Sequence, residues 1–250
     1  MANSFFQFRQ FTVRQEHCAM KVGTDGTLLG AWARCPISPL GDKREVLDVG
    51  TGTGLIALMM AQRFPEARVM AIDIDAEAVQ QAVENVAASP FADRIQVVQA
   101  DVTTFDTPIR DIRDIRCSDY IQYDSIVCNP PYFVDSLTCP DRRRTLARHD
   151  RSLSYRQLMT AASRLLADDG ELSVVIPFDC RIRLEQEAAL AGLSKVRQCA
   201  VHTTPGKPPR RYLLAFRKHP APLEEETGIL EDSPGHRSSW YQQLTKDFYL

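Results

Sequence analysis

The stretch Val46–Leu55, with the sequence Val-Leu-Asp-Val-Gly-Thr-Gly-Thr-Gly-Leu, decides the fold class of this chain. A short apolar run typical of a buried strand leads into glycines at alternate positions, and helical spacing of apolar residues follows. Glycines let the backbone pass close to a ligand because no Cβ stands in the way. In open α/β sheets, ligands bind at the carboxyl ends of the strands. The pattern therefore predicts a ligand-binding loop between a strand and a helix.

Outward from this loop, short apolar runs alternate with segments of helical spacing. We predict strands at 45–49, 68–72, 95–99, 123–128 and 171–176, and helices at 55–63, 77–87, 155–166 and 181–191. Segments 198–202 and 212–217 flank a turn-prone stretch and are expected to form a closing hairpin. This order is typical of a Rossmann-like α/β fold, with a mainly parallel twisted sheet, an antiparallel edge strand and helices on both faces.

The same pattern divides the chain into one domain with additions at both ends. Residues 1–44 precede the first strand as an ordered N-terminal extension, and 45–218 carry the predicted sheet. Residues 219–250 are expected to be a C-terminal loop and docking tail. Within them, 219–239 are rich in proline and acid and predict a loop or partly disordered linker. Residues 106–120 interrupt the alternation and are interpreted as a surface insertion.

Composition sets limits on the class of protein. The 250 residues are 44% apolar and 25% charged, which is ordinary for a soluble globular protein. No stretch approaches the roughly 20 apolar residues of a membrane span, and no signal peptide is apparent. The seven cysteines are scattered and lack the spacing of a zinc site. We therefore expect a cytoplasmic protein with reduced thiols, no metal and no membrane association.

Basic residues cluster locally although the formal net charge is −2, which argues against a bulk nucleic-acid binder. Two groups are candidates for contacts with phosphates. One follows the predicted strand 123–128 and the other lies on the hairpin: Arg142, Arg143, Arg144 and Arg148, and Lys207, Arg210 and Arg211. The alternative for both groups is an exposed, solvated loop.

The glycine spacing favours one nucleotide cofactor over another. Dinucleotide sites use Gly-x-Gly-x-x-Gly, which lets a helix N-terminus hold a pyrophosphate. Here the spacing is Gly-x-Gly-x-Gly, and the carboxylate of Asp48 disfavours a pyrophosphate but suits the cationic part of S-adenosylmethionine. Asp73 can accept hydrogen bonds from ribose hydroxyls. Asp101 would reach the adenine ring or, alternatively, cap a helix. We favour methyl transfer over hydride transfer.

The turn Asn129–Tyr132, Asn-Pro-Pro-Tyr, follows the predicted strand 123–128. Two prolines cannot donate ladder hydrogen bonds, so the strand must end there. The turn offers a carboxamide, free backbone carbonyls and an aromatic face, which suit a planar group with an amino nitrogen. We assign catalysis to Asn129, Pro130, Pro131 and Tyr132. The alternative is a turn that merely contains two prolines.

These motifs carry a resemblance to a known family. The span 45–180 resembles the class I Rossmann-like methyltransferases, and Asn129–Tyr132 is similar to the signature of those that methylate an exocyclic or amide nitrogen. The segment Phe11–Ala33 and the closing Asp247–Leu250 resemble the bacterial tRNA(Val) adenine-37 N6-methyltransferase family. The resemblance implies methyl transfer from S-adenosylmethionine to the adenine beside the anticodon of a valine tRNA. We therefore expect the two basic groups to contact RNA phosphates.

It also implies that the N-terminal extension packs on the cofactor side; the alternative is that Met20–Trp32 only forms an amphipathic helix over the sheet edge. The expected cofactor-binding residues are Lys21, Thr24, Asp25, Gly26, Asp48, Gly50, Thr51, Gly52, Gly54, Asp73, Ile74, Asp101, Val102 and Asn129.

Other functions remain open at this point. The methyl acceptor could be another RNA adenine or guanine, or a protein glutamine, although only 44 residues precede the first strand and glutamine methylases usually carry a separate N-terminal domain. A DNA adenine methylase would need a target-recognition domain, for which no insertion is present. A non-enzymatic RNA-binding module on an inactive methyltransferase fold is the remaining alternative. We expect a monomer.

Overall fold

The computed structural model describes residues 4–16, 21–36, 44–106, 121–131 and 153–249. In chain order the strands are β1 (Phe5–Gln7), β2 (Thr12–Arg14), β3 (Arg44–Val49), β4 (Ala67–Asp73), β5 (Ile95–Gln99), β6 (Tyr123–Cys128), β7 (Leu166–Pro177), β8 (Ser194–His202), β9 (Pro209–Arg217), β10 (Glu224–Ile229), β11 (Glu231–Ser233) and β12 (His236–Arg237). The α-helices are α1 (Thr24–Trp32), α2 (Leu55–Arg63), α3 (Ala76–Ala87), α4 (Tyr155–Leu165), α5 (Arg181–Leu190) and α6 (Ser239–Thr245).

One eight-stranded sheet, in the order β10-β8-β9-β7-β6-β3-β4-β5, organises the molecule. Strands β3 to β7 pair in parallel, whereas β9 runs antiparallel to both β7 and β8. The chain moves outward from β3 to β5 and then returns to β6 on the other side of β3. This reversal opens a crevice at the carboxyl ends of β3 and β6. The Rossmann-like fold expected from the sequence is confirmed.

Alternating side chains of the strands fill a core on each face of the sheet. Val46 and Val127 point to the face covered by α1 and α2, whereas Leu47 and Ile126 point to the face covered by α4 and α5. All four side chains are almost fully buried. Because strands buried on both faces are mostly apolar, the centres of these strands form short apolar runs, which is why they could be predicted.

Helix α1 is buried along most of its length rather than amphipathic, from Gly26 to Trp32. Its close approach to α2 depends on Gly30, where an added Cβ would lie 2.7 Å from the sulfur of Met59. The helix therefore forms part of the core, and its first turn reaches the carboxyl edge of the sheet.

The expected linker at 219–239 is wrong for Glu224–Ile229, which forms β10, the outer strand of the sheet next to β8. The strand could not be predicted from periodicity, because it begins with three consecutive glutamates. An edge strand that faces solvent need not alternate apolar and polar residues. Glu224 forms an ion pair with Arg34 at 2.8 Å, and Glu226 accepts a hydrogen bond from the indole of Trp32. Pairing with β8 and contacts with the end of α1 therefore hold this segment in place.

The two ends of the chain meet on the α1 side of the sheet. The backbone N–H of Arg9 donates to the carbonyl of Phe248 at 2.8 Å, and the Phe248 side chain is only 1% exposed. Tyr249 stacks on Phe8 with ring centroids 5.8 Å apart. The aromatic C-terminal tail thus packs against β1 and α1 as part of the core.

The predicted hairpin is present as β8 and β9, each longer at its start than expected. Helix α4 ends at Leu165 and β7 begins directly after it, earlier than predicted. Of the proposed insertion at 106–120, residues 107–120 lie outside the described part of the chain. Within the described ranges, no helix is long and apolar enough to cross a bilayer.

Candidate active site

A cavity of about 680 Å³ lies at the carboxyl ends of β3, β4, β5 and β6, where the strand order reverses. Its volume falls within the roughly 300–1,000 Å³ typical of small-molecule sites. The walls come from the glycine loop after β3, the ends of β4 and β5, the turn after β6, and the starts of α1 and α4. The loops that follow neighbouring strands therefore meet in one place.

The glycine loop has a backbone that other residues would adopt only with strain. Gly50, Gly52 and Gly54 have φ angles of 70°, 56° and 80°, all in the left-handed region. The loop is tied to β4, because the N–H of Gly50 donates to the Ile72 carbonyl at 2.9 Å. The N–H of Gly52 donates to Asp73 Oδ2, also at 2.9 Å. These bonds hold the loop along one wall of the cavity.

Asp48 lies beneath this loop, with a side chain that is 0% exposed. Its Oδ2 accepts hydrogen bonds from Thr51 Oγ1 at 2.6 Å and from the N–H of Ala57 at 3.1 Å, which link the loop to the first turn of α2. Burial raises the pKa of Asp48 to about 7, against the effect of these two bonds, and repulsion from Asp73 adds to the rise. Asp48 is not among the described residues that line the cavity, so its contact with a cofactor stays a prediction.

Two carboxylates line the cavity from the ends of β4 and β5. Asp73 uses Oδ1 to accept a hydrogen bond from the N–H of Asp75 at 3.0 Å, beside its bond to the glycine loop. Asp101 accepts from the N–H and the hydroxyl of Thr103, at 2.8 and 2.7 Å. Asp101 therefore caps a turn instead of the helix given as the alternative, and it lies in the cavity wall, where its contact with an adenine ring stays a prediction. Ile74 and Val102 also line the cavity, as expected.

Asn129 and Pro130 lie at the same level as the glycine loop. In the pairing of β3 with β6, Val49 is opposite Cys128, so Gly50 and Asn129 leave the sheet side by side. Neighbouring strands are about 4.8 Å apart. Asn129, Pro130 and Pro131 all line the cavity, whereas Tyr132 lies outside the described residues.

The N-terminal extension closes one side of the cavity with Lys21, Thr24, Asp25 and Gly26. Asp25 Oδ1 forms an ion pair with Arg211 Nη1 at 2.6 Å, which links the first turn of α1 to the start of β9. Both side chains are less than one-third exposed. Arg211, expected to contact RNA, is thus engaged by a carboxylate in the cavity wall, and its contact with RNA stays a prediction.

The other basic residues expected to contact RNA fall into two groups. Lys207 and Arg210 are exposed at the turn between β8 and β9 and at the start of β9. The four arginines Arg142, Arg143, Arg144 and Arg148 lie outside the described residues.

Sequence reasoning missed the wall formed by the start of α4. Leu153 and Gln157 line the cavity there. Ser154 caps the helix, because its hydroxyl accepts from the N–H of Gln157 at 3.2 Å and its own N–H donates to Gln157 Oε1 at 2.9 Å. The spacing Ser-x-x-Gln is a known helix-start signature and agrees with the predicted start of this helix, but it does not indicate that the start lies at the cavity.

The cavity fits a nucleoside with a cationic substituent. A carboxylate and a glycine loop face the space where a ribose and a charged group would lie, and the buried Oδ1 of Asp48 has no hydrogen-bond partner in the described part of the chain. No cluster of three or more His, Cys, Asp or Glu suited to a metal occurs among the described residues.

Fold and cavity together define an S-adenosylmethionine-dependent methyltransferase of the Rossmann-like class. Residues 36–198 match the family model of the methyltransferase small domain. Two curated relatives are named tRNA1(Val) (adenine(37)-N6)-methyltransferase: one from Bacteroides fragilis is 45% identical and one from Bacteroides thetaiotaomicron is 46% identical, and each alignment covers 100% of this chain and 99% of the relative. The chain belongs to this family of methyltransferases.

A solved structure supports the fold. The crystal structure of a predicted O-methyltransferase from Agrobacterium tumefaciens superposes with a TM-score of 0.62 over 90% of this chain and 96% of that one, at 19% identity. At this identity the likeness concerns the architecture alone.

Proposed function

We propose that the protein transfers a methyl group from S-adenosylmethionine to the exocyclic N6 of adenine 37, next to the anticodon of tRNA(Val). The observation that carries this proposal is the register of β3 and β6, which brings the glycine loop and Asn129 to adjacent positions in one cavity. A methyl donor held by the loop would lie beside an amino group held by Asn129. The two curated relatives support it, because each is named for this activity and aligns over 99% of its length.

S-adenosylmethionine supplies an electrophilic methyl group when bound. On the protein side, the glycine loop offers a backbone without Cβ atoms along one wall, and Asp73 offers a carboxylate to ribose hydroxyls. Ile74 is 56% exposed in the cavity wall, where it would gain apolar contact with a flat ring. The unpartnered Oδ1 of Asp48 beneath the loop would favour positive charge above it.

The acceptor nitrogen needs positioning more than it needs a strong base. The N6 lone pair of adenine is delocalised into the ring, so the amino group is a poor nucleophile and is barely basic. Asn129 Oδ1 and the Pro130 carbonyl would each accept one N6–H bond and direct the lone pair toward the methyl group. Such positioning can supply roughly 7–11 kcal/mol of the barrier. Acceptors aimed at the developing positive charge add to it.

The remaining requirement is access to the base. A target adenine has to leave its stack to enter the cavity, which costs less in a loop than in a duplex. Tyr132, by its place in the motif, would stack on the base. The proton released from N6 can leave to water after transfer, so the mechanism assigns no histidine.

The test is methylation of total tRNA from a strain that lacks the enzyme, with isotope-labelled S-adenosylmethionine and nucleoside mass spectrometry. The expected product is N6-methyladenosine at position 37 of tRNA(Val). A valine tRNA transcript with guanosine at position 37 is the matched control and is expected to remain unlabelled. Label in another nucleoside, or in protein glutamine in a parallel extract, would overturn the proposal.

A further inference from the structure

A second groove, of about 1030 Å³, lies beside the active-site cavity. Its walls come from β1, the start of α1 and helix α6, so both ends of the chain contribute. The two spaces share Val22, Gly23 and Thr24 in their walls, which makes them neighbours across the first turn of α1. A polymer with one unit in the cavity could therefore place an adjacent unit in the groove.

Among the described residues, the charged side chains that line the groove are all cations. Arg9, Arg237 and Lys246 line it, and no carboxylate does among the described residues, in a chain whose net charge is −2. Lys246 is exposed and makes no ion pair within the described ranges. Arg237 is partly neutralised by Glu231 at 3.4 Å, and Arg9 donates to the carbonyl of Tyr249. A local excess of cations on an acidic protein attracts an anionic partner.

The groove also presents aromatic rings beside these cations. Phe6 is 36% exposed, and its ring is held by Phe8 at 4.8 Å and by Tyr249 at 5.9 Å between centroids. Tyr241 and Tyr249 line the groove as well. Aromatic faces next to Lys and Arg are the arrangement with which proteins bind unstacked bases and their phosphates.

We propose that this groove binds single-stranded RNA, namely the nucleotides of the anticodon loop that adjoin the target base. Phe6 stacks on a base, and Lys246 and Arg9 contact phosphates. The inference rests on the proposed function, because it assumes that the target base lies in the cavity. The RNA chain then continues into the groove formed by residues near the N- and C-termini. The inference assigns substrate recognition to residues near the two ends of the sequence, which the sequence analysis did not assign to RNA binding.

The test measures equilibrium binding of a fluorescently labelled anticodon stem-loop by polarisation, between about 50 and 200 mM salt. A plot of the logarithm of the association constant against the logarithm of the salt concentration has a negative slope. Lys246→Ala is expected to make this slope shallower by about 0.7–0.9, which corresponds to the loss of one phosphate contact. Phe6→Leu, which keeps an apolar side chain but removes the ring, is expected to weaken binding by about tenfold with the slope unchanged.

Two matched substitutions serve as controls. Arg68→Ala removes an exposed cation near the amino end of β4, opposite the site, and Phe5→Leu removes the more exposed neighbouring ring, 51% exposed, which does not line the groove. Both are expected to bind like the wild type.

The outcomes separate this inference from the function on which it rests. Wild-type affinity and slope in both groove variants, together with methylation of adenine 37, would remove the groove and keep the proposed function. The expected binding changes without any N6-methyladenosine would keep the groove and remove the proposed reaction. No binding of the stem-loop by the wild type would overturn the groove, and methylation of adenine 37 in whole tRNA would still decide the proposed function.

Discussion

The buried carboxyl of Asp48 makes a testable prediction about pH. Asp48→Asn keeps the shape of the side chain and an oxygen that can accept from Thr51 and from the N–H of Ala57, so the glycine loop retains its anchors. The substitution removes the ability to ionise and puts an NH₂ group, whose effect on stability does not depend on pH in this range, at the position of Oδ1. The quantity of interest is therefore how the free energy of unfolding changes with pH, not its absolute value.

The sign follows from the direction of the pKa shift. Folded Asp48 keeps its proton up to about pH 7, whereas the unfolded chain loses it near its ordinary value of 3.8. Between these values the folded state binds more protons, so the free energy of unfolding falls as pH rises. A difference of about 3 pKa units corresponds to about 4 kcal/mol in total, of which about 2–3 kcal/mol falls between pH 5 and pH 8.

Urea unfolding of the cofactor-free protein at a series of pH values measures this effect. Relative to Asp48→Asn, the wild type is expected to lose about 2–3 kcal/mol of unfolding free energy between pH 5 and pH 8. Asp93→Asn, at an exposed carboxylate in the turn before β5, is the control and is expected to follow the wild type. Parallel curves for the wild type and Asp48→Asn would refute the reasoning.

Three further substitutions test separate contacts. Asn129→Ala is expected to reduce kcat on tRNA by roughly 100- to 1,000-fold and to raise the Kd for S-adenosylmethionine in titration calorimetry far less, because the larger share of its role is assigned to the methyl acceptor; wild-type turnover would contradict its catalytic role. Gly30→Ala places a Cβ 2.7 Å from the sulfur of Met59, so a loss of about 1–3 kcal/mol is expected in urea unfolding, and an unchanged midpoint would show that α1 and α2 can separate at no cost. Glu171→Ala removes the carboxylate that pairs with buried Arg197 at 2.6 Å, with an expected loss of about 3–5 kcal/mol by the same assay; a loss below about 1 kcal/mol would mean that the arginine finds another partner.

Much of the site could be predicted because its motifs are local. The glycine loop is recognisable in the sequence by three glycines, whose backbone angles other residues rarely adopt. Asn129 and Pro130 follow an apolar strand directly, so their position at a strand end required no tertiary information. The strands β3, β4 and β6 could be found for a similar reason, since strands buried on both faces are mostly apolar over consecutive residues.

Other features escaped prediction because they depend on residues far apart in the chain. Strand β10 carries three glutamates and exists because β8 offers it a free edge and because Arg34 and Trp32 bind its side chains. Nothing in the local sequence distinguishes Arg211 from Lys207 and Arg210. Among these three described residues, only Arg211 forms an ion pair, with Asp25.

The sequence by itself determined the fold class, the glycine loop and the turn that follows β6, because each is encoded within a few consecutive residues. The tertiary structure alone decided that Asp48 lies beneath the loop instead of in the cavity wall, and that residues 6–9 and 237–249 enclose a basic groove beside the active site. The direction in which a buried side chain points, and the contacts between two ends of a chain, are set by packing across the whole domain. No short stretch of sequence contains that information.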